Sequence, residues 1–273
     1  MRPGPTGAAR QACRLAAITA VTLTALPAAG LAAQSARLDV ALVPERLGQG
    51  TTIKFGFQIS AAGGGVPAPL RRIDLRYPAH IGIVTSGLGI ASCTQQVLEE
   101  AGVPGCPSKS LMGYGTATGE AEIGGEILQE TGSTAVFMAP LAEGNINLEF
   151  YVNGESPLED QLIFPGLLLP ASPPYGGDLQ ISVPLLNTFP EGPDIALVKL
   201  RSTIGPLGVT YWQRRHGKFV PYQPSGIILP SRCPKRGFPF AVTFTFQGGV
   251  MTTSRVSVPC PRSPRTRRAI AGR

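Results

Sequence analysis

Phe238, Phe240, Val242, Phe244 and Phe246 occupy every second position, and after Gln247-Gly248-Gly249 the alternation resumes at Val250, Val256 and Val258. Successive side chains of a strand point to opposite faces, so this period marks a half-buried strand pair. A two-residue turn would set the Phe face against Met251, Thr253, Arg255 and Ser257. A three-residue loop places Phe246 opposite Val250, Phe240 opposite Val256 and Phe238 opposite Val258. Only this second register buries the apolar side chains together, and a glycine-closed three-residue loop is a common hairpin connection.

The same period recurs upstream. Leu38, Val40 and Leu42 alternate with polar or small residues; Ile53, Phe55, Phe57 and Ile59 do so over a longer run, followed by Ile73, Leu75 and Tyr77. From Gly113 to Gly125 small residues alternate with Tyr114, Thr116, Thr118, Glu120 and Glu122, a strand whose Gly/Ala side is expected to lie close against another sheet or loop. Residues 127–131 and 135–138 read as two further strands, and Ile146, Leu148, Phe150 and Val152 as the next. Residues 195–204 are apolar on both faces, as in a central strand. The segments 209–213 and 218–222 pair about Arg214-Arg215-His216-Gly217. Eight prolines in residues 157–193 are expected to keep that segment out of central strands, apart from a short strand at 179–183. One short helix is expected where Ser92-x-x-Gln95 reads as a capping box, Val97, Leu98 and Ala101 form an apolar face, and Gly102 with Pro104 ends the run.

These elements predict an all-β fold: a large antiparallel β-sandwich of Greek-key or Ig-like character, with 12 to 14 strands and one helix. The connection at 140–145 is hairpin-sized, so residues 34–261 are read as a single domain.

Composition changes the picture mainly at the two ends. The chain has 24 basic and 17 acidic residues, a net charge of +7. Eight of the basic residues lie within residues 1–14 and 262–273, and the remaining 16 face 17 acidic ones. The body is thus close to neutral, and the case for a nucleic-acid partner disappears. Arg2, Arg10 and Arg14 precede an apolar run from Leu15 to about Ala29 and the small residues Gly30-Leu31-Ala32-Ala33. This is the pattern of a secretory signal peptide over residues 1–33, cleaved near Ala32 or Ala33, which leaves no membrane span in the mature chain. Cys13 departs with it. Residues 262–273 are Arg-, Ser- and Pro-rich and acid-free, a disordered basic tail.

Export makes the remaining cysteines legible. Cys93, Cys106, Cys233 and Cys260 are an even set in an oxidising compartment, and of three pairings the two local ones, Cys93–Cys106 and Cys233–Cys260, are expected. The absence of a CxxC pair and the presence of only two histidines argue against zinc.

Chemistry is thinly signalled. His80 and His216 sit at a strand end and a hairpin tip. No nucleophile elbow surrounds a serine, Ser86 included, and Gly113-x-Gly115-x-x-x-Gly119 has the wrong spacing for a dinucleotide loop. No cofactor or metal is expected. Carboxylates remain open, because a glycosidase needs only two: Glu120 and Glu122 share one strand face and Glu149 lies on another strand. Glu191 and Asp194 share a Pro/Gly loop that calcium can use, although solvated loop acids are the simpler reading. Two surfaces are binding candidates. One is the aromatic hairpin carrying Tyr211, Trp212 and Tyr222 beside Arg214, Arg215 and Lys218, set against the alternative of core aromatics with a wet basic tip. The other is the segment from Phe164 to Tyr175, where Leu167, Leu168 and Leu169 either form a docking patch or cap an open end of the sandwich.

The run Gly226-Ile227-Ile228-Leu229-Pro230, Cys233-Pro234, Gly237-Phe238-Pro239-Phe240 and Pro259-Cys260-Pro261 resembles the tail of uncharacterised secreted β-rich proteins of high-GC Gram-positive bacteria. Ser92-Cys93 to Cys106-Pro107, with Gly113 after it, is similar to a second element of that group. The resemblance implies a secreted β protein and supplies no catalytic residue. The expectation is therefore a non-enzymatic extracellular or cell-envelope interaction module whose partner is a protein or glycan of the envelope. The alternatives are a carbohydrate-active hydrolase with paired carboxylates and a purely structural envelope component.

Overall fold

The alternating segments fold as strands and pair into one dominant sheet. A computed structural model describes residues 33–82, 87–156 and 160–261. Residues 1–32 of the expected signal peptide, Cys13 among them, Ser86 and the basic tail from Arg262 onward lie outside them.

The strands are β1 (Gln34–Val43), β2 (Gly50–Ala61), β3 (Leu70–Pro78), β4 (Leu111–Ile123), β5 (Glu126–Met138), β6 (Ile146–Ser156) and β7 (Gln161–Pro170). They continue as β8 (Tyr175–Ser182), β9 (Ala196–Ile204), β10 (Tyr211–Arg215), β11 (Lys218–Tyr222), β12 (Ile227–Ile228), β13 (Phe238–Phe246) and β14 (Met251–Val258). A helix, α1 (Gln95–Gly105), lies between β3 and β4. The large sheet runs β1-β2-β9-β4-β5-β6-β7-β8-β3-β13-β14, with β12 beside the start of β2 and β10–β11 forming a separate two-stranded sheet. Every pairing is antiparallel. The two ends of that order, β1 and β14, lie side by side, and Thr252 Oγ1 donates to the Gln34 carbonyl at 2.8 Å. The sheet thus wraps round on itself, and its opposite walls supply the packed layers of the expected antiparallel all-β fold.

The Phe ladder is the filled part of the interior. Phe238 pairs with Val258 and Phe240 with Val256, the register of the three-residue loop, and the Phe246 N–H reaches the Val250 carbonyl at 2.9 Å. Gly248 and Gly249 supply the left-handed backbone of that loop, with φ of 84° and 82°. Phe244 is 0% exposed and meets Phe57 of β2 edge to face, with ring centroids 4.8 Å apart. Outward positions carry the polar half of each alternation: Lys54, Asp74, Arg76, Lys199, Arg201 and Arg255. An apolar inside and a charged outside are the reverse of a barrel built to face lipid along its wall.

The structure departs from expectation at four places. Residues 126–138 form one strand, because Gly132 keeps the register with Ala117 of β4 and pairs with Gly154 of β6, where an irregularity between Thr131 and Gly132 is absorbed without breaking the strand. The proline-rich segment contributes β7 and β8 to the middle of the sheet. Pro165 is tolerated because the β7–β8 ladder starts only at Gly166, so its missing N–H breaks no rung on that side. The two residues of β12 are too short for any periodic signal. Finally, α1 is capped by Thr94, whose side chain accepts from the Val97 N–H at 3.3 Å, and not by Ser92. Its helical course breaks at Gly102 (φ 61°), where the sequence expects it to end.

Both local disulfides are present, Cys93–Cys106 with Cα atoms 5.4 Å apart and Cys233–Cys260 at 5.9 Å. The first joins the start of α1 to the turn after its end. The second ties the chain following β14 to the loop preceding β13.

Truncating Phe244 to Ala empties a fully buried ring site, and the free energy of unfolding by urea is expected to fall by about 3–5 kcal/mol. A smaller loss would place the ladder outside the core. Opening each disulfide releases a loop worth about 3 kcal/mol, so reductant is expected to lower the melting temperature. Replacing either cysteine pair by Ala should reproduce part of that drop.

Candidate functional site

The interior is unevenly filled, and the sequence says why. On β4 the inward positions are Gly113, Gly115, Ala117 and Gly119, and opposite them β5 and β6 offer Gly132 and Gly154. Gly115 is a close-approach position: a Cβ there would strike the Arg201 carbonyl of β9 and the Thr134 hydroxyl. Gly113, Gly119 and Gly132 are approached as closely, by the Thr203 carbonyl, the Ile195 side chain and the Asn153 carbonyl, so the small side chains bring neighbouring groups in and contribute no bulk of their own to the interior. Bulky side chains line the rest of the space: Ile73 of β3 and Ile181 of β8, Leu197 and Leu200 of the neighbouring β9, and the stacked pair Phe150 and Phe164 of β6 and β7 (centroids 5.6 Å apart).

Two adjoining apolar chambers result, of ≈ 150 Å³ and ≈ 130 Å³. Ile73, Val136, Phe150, Ile181, Leu200 and Ser202 line both. Phe55, Leu75, Phe150, Leu197 and Leu200 point inward yet are only half-buried, because the lumen leaves part of each uncovered. A core packed to ordinary protein density would cover them. The second chamber lies toward the end of the barrel closed by Ile81, Met112 and Ile227. The first lies toward the other end, beside the loop at 183–195; two of its lining residues, Pro184 and Asp160, are exposed, so it reaches the surface there. Its polar groups are few: Glu130, Thr134 and Ser202 within and Asp160 at the mouth.

The carboxylates singled out from the sequence do not meet in a cleft. Glu120 and Glu122 are on the outer face of β4, where Gln129 Nε2 donates to Glu120 at 3.4 Å. Glu149 lies on the outer face of β6 but is covered by α1, in the small cluster that includes Leu98, Phe137 and Tyr151. Burial pushes the Glu149 carboxyl above the usual carboxylate range, and Glu99 of the helix adds to the rise. Its Oε2 has no hydrogen-bond partner among the described residues. Asp194 accepts from Gln247 Nε2 at 3.3 Å. Among the described residues no group of three or more His, Cys, Asp and Glu side chains is arranged to hold a metal ion. His80 and His216 both occupy left-handed turn positions, with φ of 64° and 48°.

The two proposed surfaces fare differently. Leu167, Leu168 and Leu169 neither form an exposed patch nor cap an end: they belong to β7, where Leu168 faces the second chamber and its neighbours are half-buried on the outer side. Tyr175 begins β8 opposite Pro78 and is half-buried. The aromatic hairpin divides into two faces. Tyr211 is 0% exposed; its hydroxyl donates to the Leu111 carbonyl and accepts from the Gly89 N–H, each at 2.7 Å. Tyr222 packs edge to face on it, under Lys109 at 5.9 Å from the ring centroid. Trp212, Arg214 and Arg215 are exposed.

Sequence reasoning missed Glu130, Asp160 and Ser202 as lumen residues. The available signal was the small side of β4, whose alternating glycines imply unfilled space beside them as readily as close packing. No family profile, curated protein or solved structure matches this chain.

Because the Glu149 carboxyl ionises at higher pH in the folded chain than in the unfolded one, folding favours its proton. Its unfavourable contribution is absent below the ordinary carboxylate range and grows as pH rises through the folded value. Glu149→Gln is expected to raise the melting temperature at neutral pH, with the gain vanishing as the buffer is brought below about pH 4. A gain independent of pH would show that ionisation is not its cause.

Proposed function

We propose that this chain is exported and serves outside the cytoplasm as a non-enzymatic binding module that holds one small apolar molecule in its lumen. The observation that carries this reading is the pair of adjoining apolar chambers, bounded by half-covered Phe and Leu side chains and reaching the surface at Pro184 and Asp160. Cavities of this size and lining accept apolar guests, and the pair together approaches the lower end of small-molecule sites, about 300 Å³. The ligand is a short aliphatic chain or a one- to two-ring compound, with any polar group toward the mouth. Export is supported by the signal-like N-terminal pattern, by the resemblance to secreted β-rich proteins, and by two disulfides of the kind that persist in oxidising compartments. Among the described residues no helix is long and apolar enough to cross a membrane.

A second reading, a hydrolase using carboxylates, has one observation in its favour: Glu130 and Asp160 line the same chamber. It predicts turnover that Glu130→Gln abolishes, whereas a carrier binds without turnover.

Titration of the purified protein with a small two-ring naphthalene fluorophore is expected to show saturable binding at one site. Ser202→Phe puts a ring where the chambers adjoin, and Ala117→Leu fills the first one; each is expected to weaken binding about tenfold or more, equivalent to 1.4 kcal/mol. Melting temperatures of the variants report whether the fold is kept. Linear, non-saturating binding, or folded variants that bind as well as the parent, would defeat the proposal.

A further inference from the structure

The outer face of the β10–β11 hairpin carries large apolar side chains that the fold does not use. Trp212 pairs with Pro221 and Arg214 with Phe219, so these four share one face. All four are exposed, Trp212 by 49% and Phe219 by 71%. The opposite face does the structural work, with Tyr211 fully buried and Tyr222 packed on it. The turn His216-Gly217 has positive φ at both residues, 48° and 79°, which makes a tight two-residue connection and a narrow tip. Arg214, Arg215 and Lys218 surround that tip, all exposed.

The segment of chain that carries this hairpin has charge of one sign over a long stretch. From Ile195 to Arg273 there is no Asp or Glu. Arg232, Lys235 and Arg236 lie in the loop between β12 and β13. The chain then leaves β14 through Cys260, which is tied to Cys233 in that same loop, and continues with Arg262, Arg265, Arg267, Arg268 and Arg273. The hairpin stands at this end of the barrel, since the Tyr211 hydroxyl is bonded at the start of β4 and the antiparallel order brings that end together with the start of β13 and the end of β14.

We propose that this hairpin face docks on an anionic lipid surface, with Trp212 and Phe219 entering the headgroup region and Arg214, Arg215 and Lys218 bound to lipid phosphates. Indole and phenyl rings on a narrow, rigid tip are suited to the boundary between headgroups and acyl chains, and basic side chains beside them place their charge at the phosphates while their stems stay apolar. The three exposed basic side chains at the tip, on a hairpin that carries no acidic residue, select an anionic lipid surface over a neutral partner. This inference is independent of what the lumen holds.

Trp212 is the single tryptophan of the chain, so its emission reads the hairpin directly. The purified protein is mixed with vesicles of phosphatidylcholine alone or of phosphatidylcholine with phosphatidylglycerol. The expected result is a shift of emission to shorter wavelength and co-sedimentation with the second kind only, both weakened by salt. Arg214→Glu with Arg215→Glu, and separately Phe219→Ser, are each expected to reduce vesicle affinity about tenfold or more with an unchanged melting temperature. Removal of residues 262–273 is expected to lower affinity but keep the emission shift. The proposal is overturned by an absence of vesicle binding, or by binding that survives both hairpin substitutions and is lost with the tail. An emission shift produced by cell-wall glycan or envelope protein in place of vesicles would also overturn it.

Discussion

Everything in this molecule depends on how one sheet fills the space it encloses. An antiparallel sheet that returns to its own edge must place every inward side chain against the opposite wall, and the two halves of this chain answer that demand in opposite ways. On the β13 side the Phe ladder is fully buried against β2 and β14. On the β4–β6 side glycine and alanine fill the inward positions of β4 and recur at Gly132 and Gly154, and the larger side chains around them, such as Phe150 and Val152, leave a lumen uncovered. Stability is therefore concentrated on one side of the interior and capacity on the other. That division explains why aromatic side chains deep inside the molecule remain half-covered.

Most of the architecture was legible because its signal is local. Period two with a polar outer face located β1, β2, β3, β6, β13 and β14, and volume matching alone chose the correct turn length for the last hairpin. Local cysteine pairing was readable because Cys93 and Cys106 bracket a helix of two turns, and Cys233 and Cys260 bracket a single hairpin. The proline-rich segment misled because proline counts say nothing of which side of a strand lacks a ladder. At Pro165 the neighbour on one side has not yet begun. Cap choice misled for a similar reason: Ser92 and Thr94 have the same chemistry, and only the entry direction of the chain distinguishes them.

The candidate site was far less legible. A lumen is a property of opposite walls, and residues that share it are distant along the chain: Ala117, Gly154, Ile181 and Leu200 come from four strands. The glycine side of β4 was visible, but one strand cannot show whether its small face is packed against or left open. The hairpin was an intermediate case. Its aromatic and basic content could be read directly, while the separation of a buried Tyr211 face from an exposed Trp212 face required the pairing register.

The join between β1 and β14 has a consequence for the interior. Elsewhere round the circumference neighbouring strands are laced by backbone ladders, whereas here a side-chain hydroxyl, that of Thr252, bonds across to Gln34. At the far end of β14 the Cys233–Cys260 bond anchors the chain. That bond ties β14 to the loop before β13 and does not cross to β1. Among the described residues the seam is therefore closed by side chains alone, the Thr252 hydroxyl and the packing of Leu38 and Leu42 in one cluster with Val258, so the hoop of backbone hydrogen bonds is interrupted along one line.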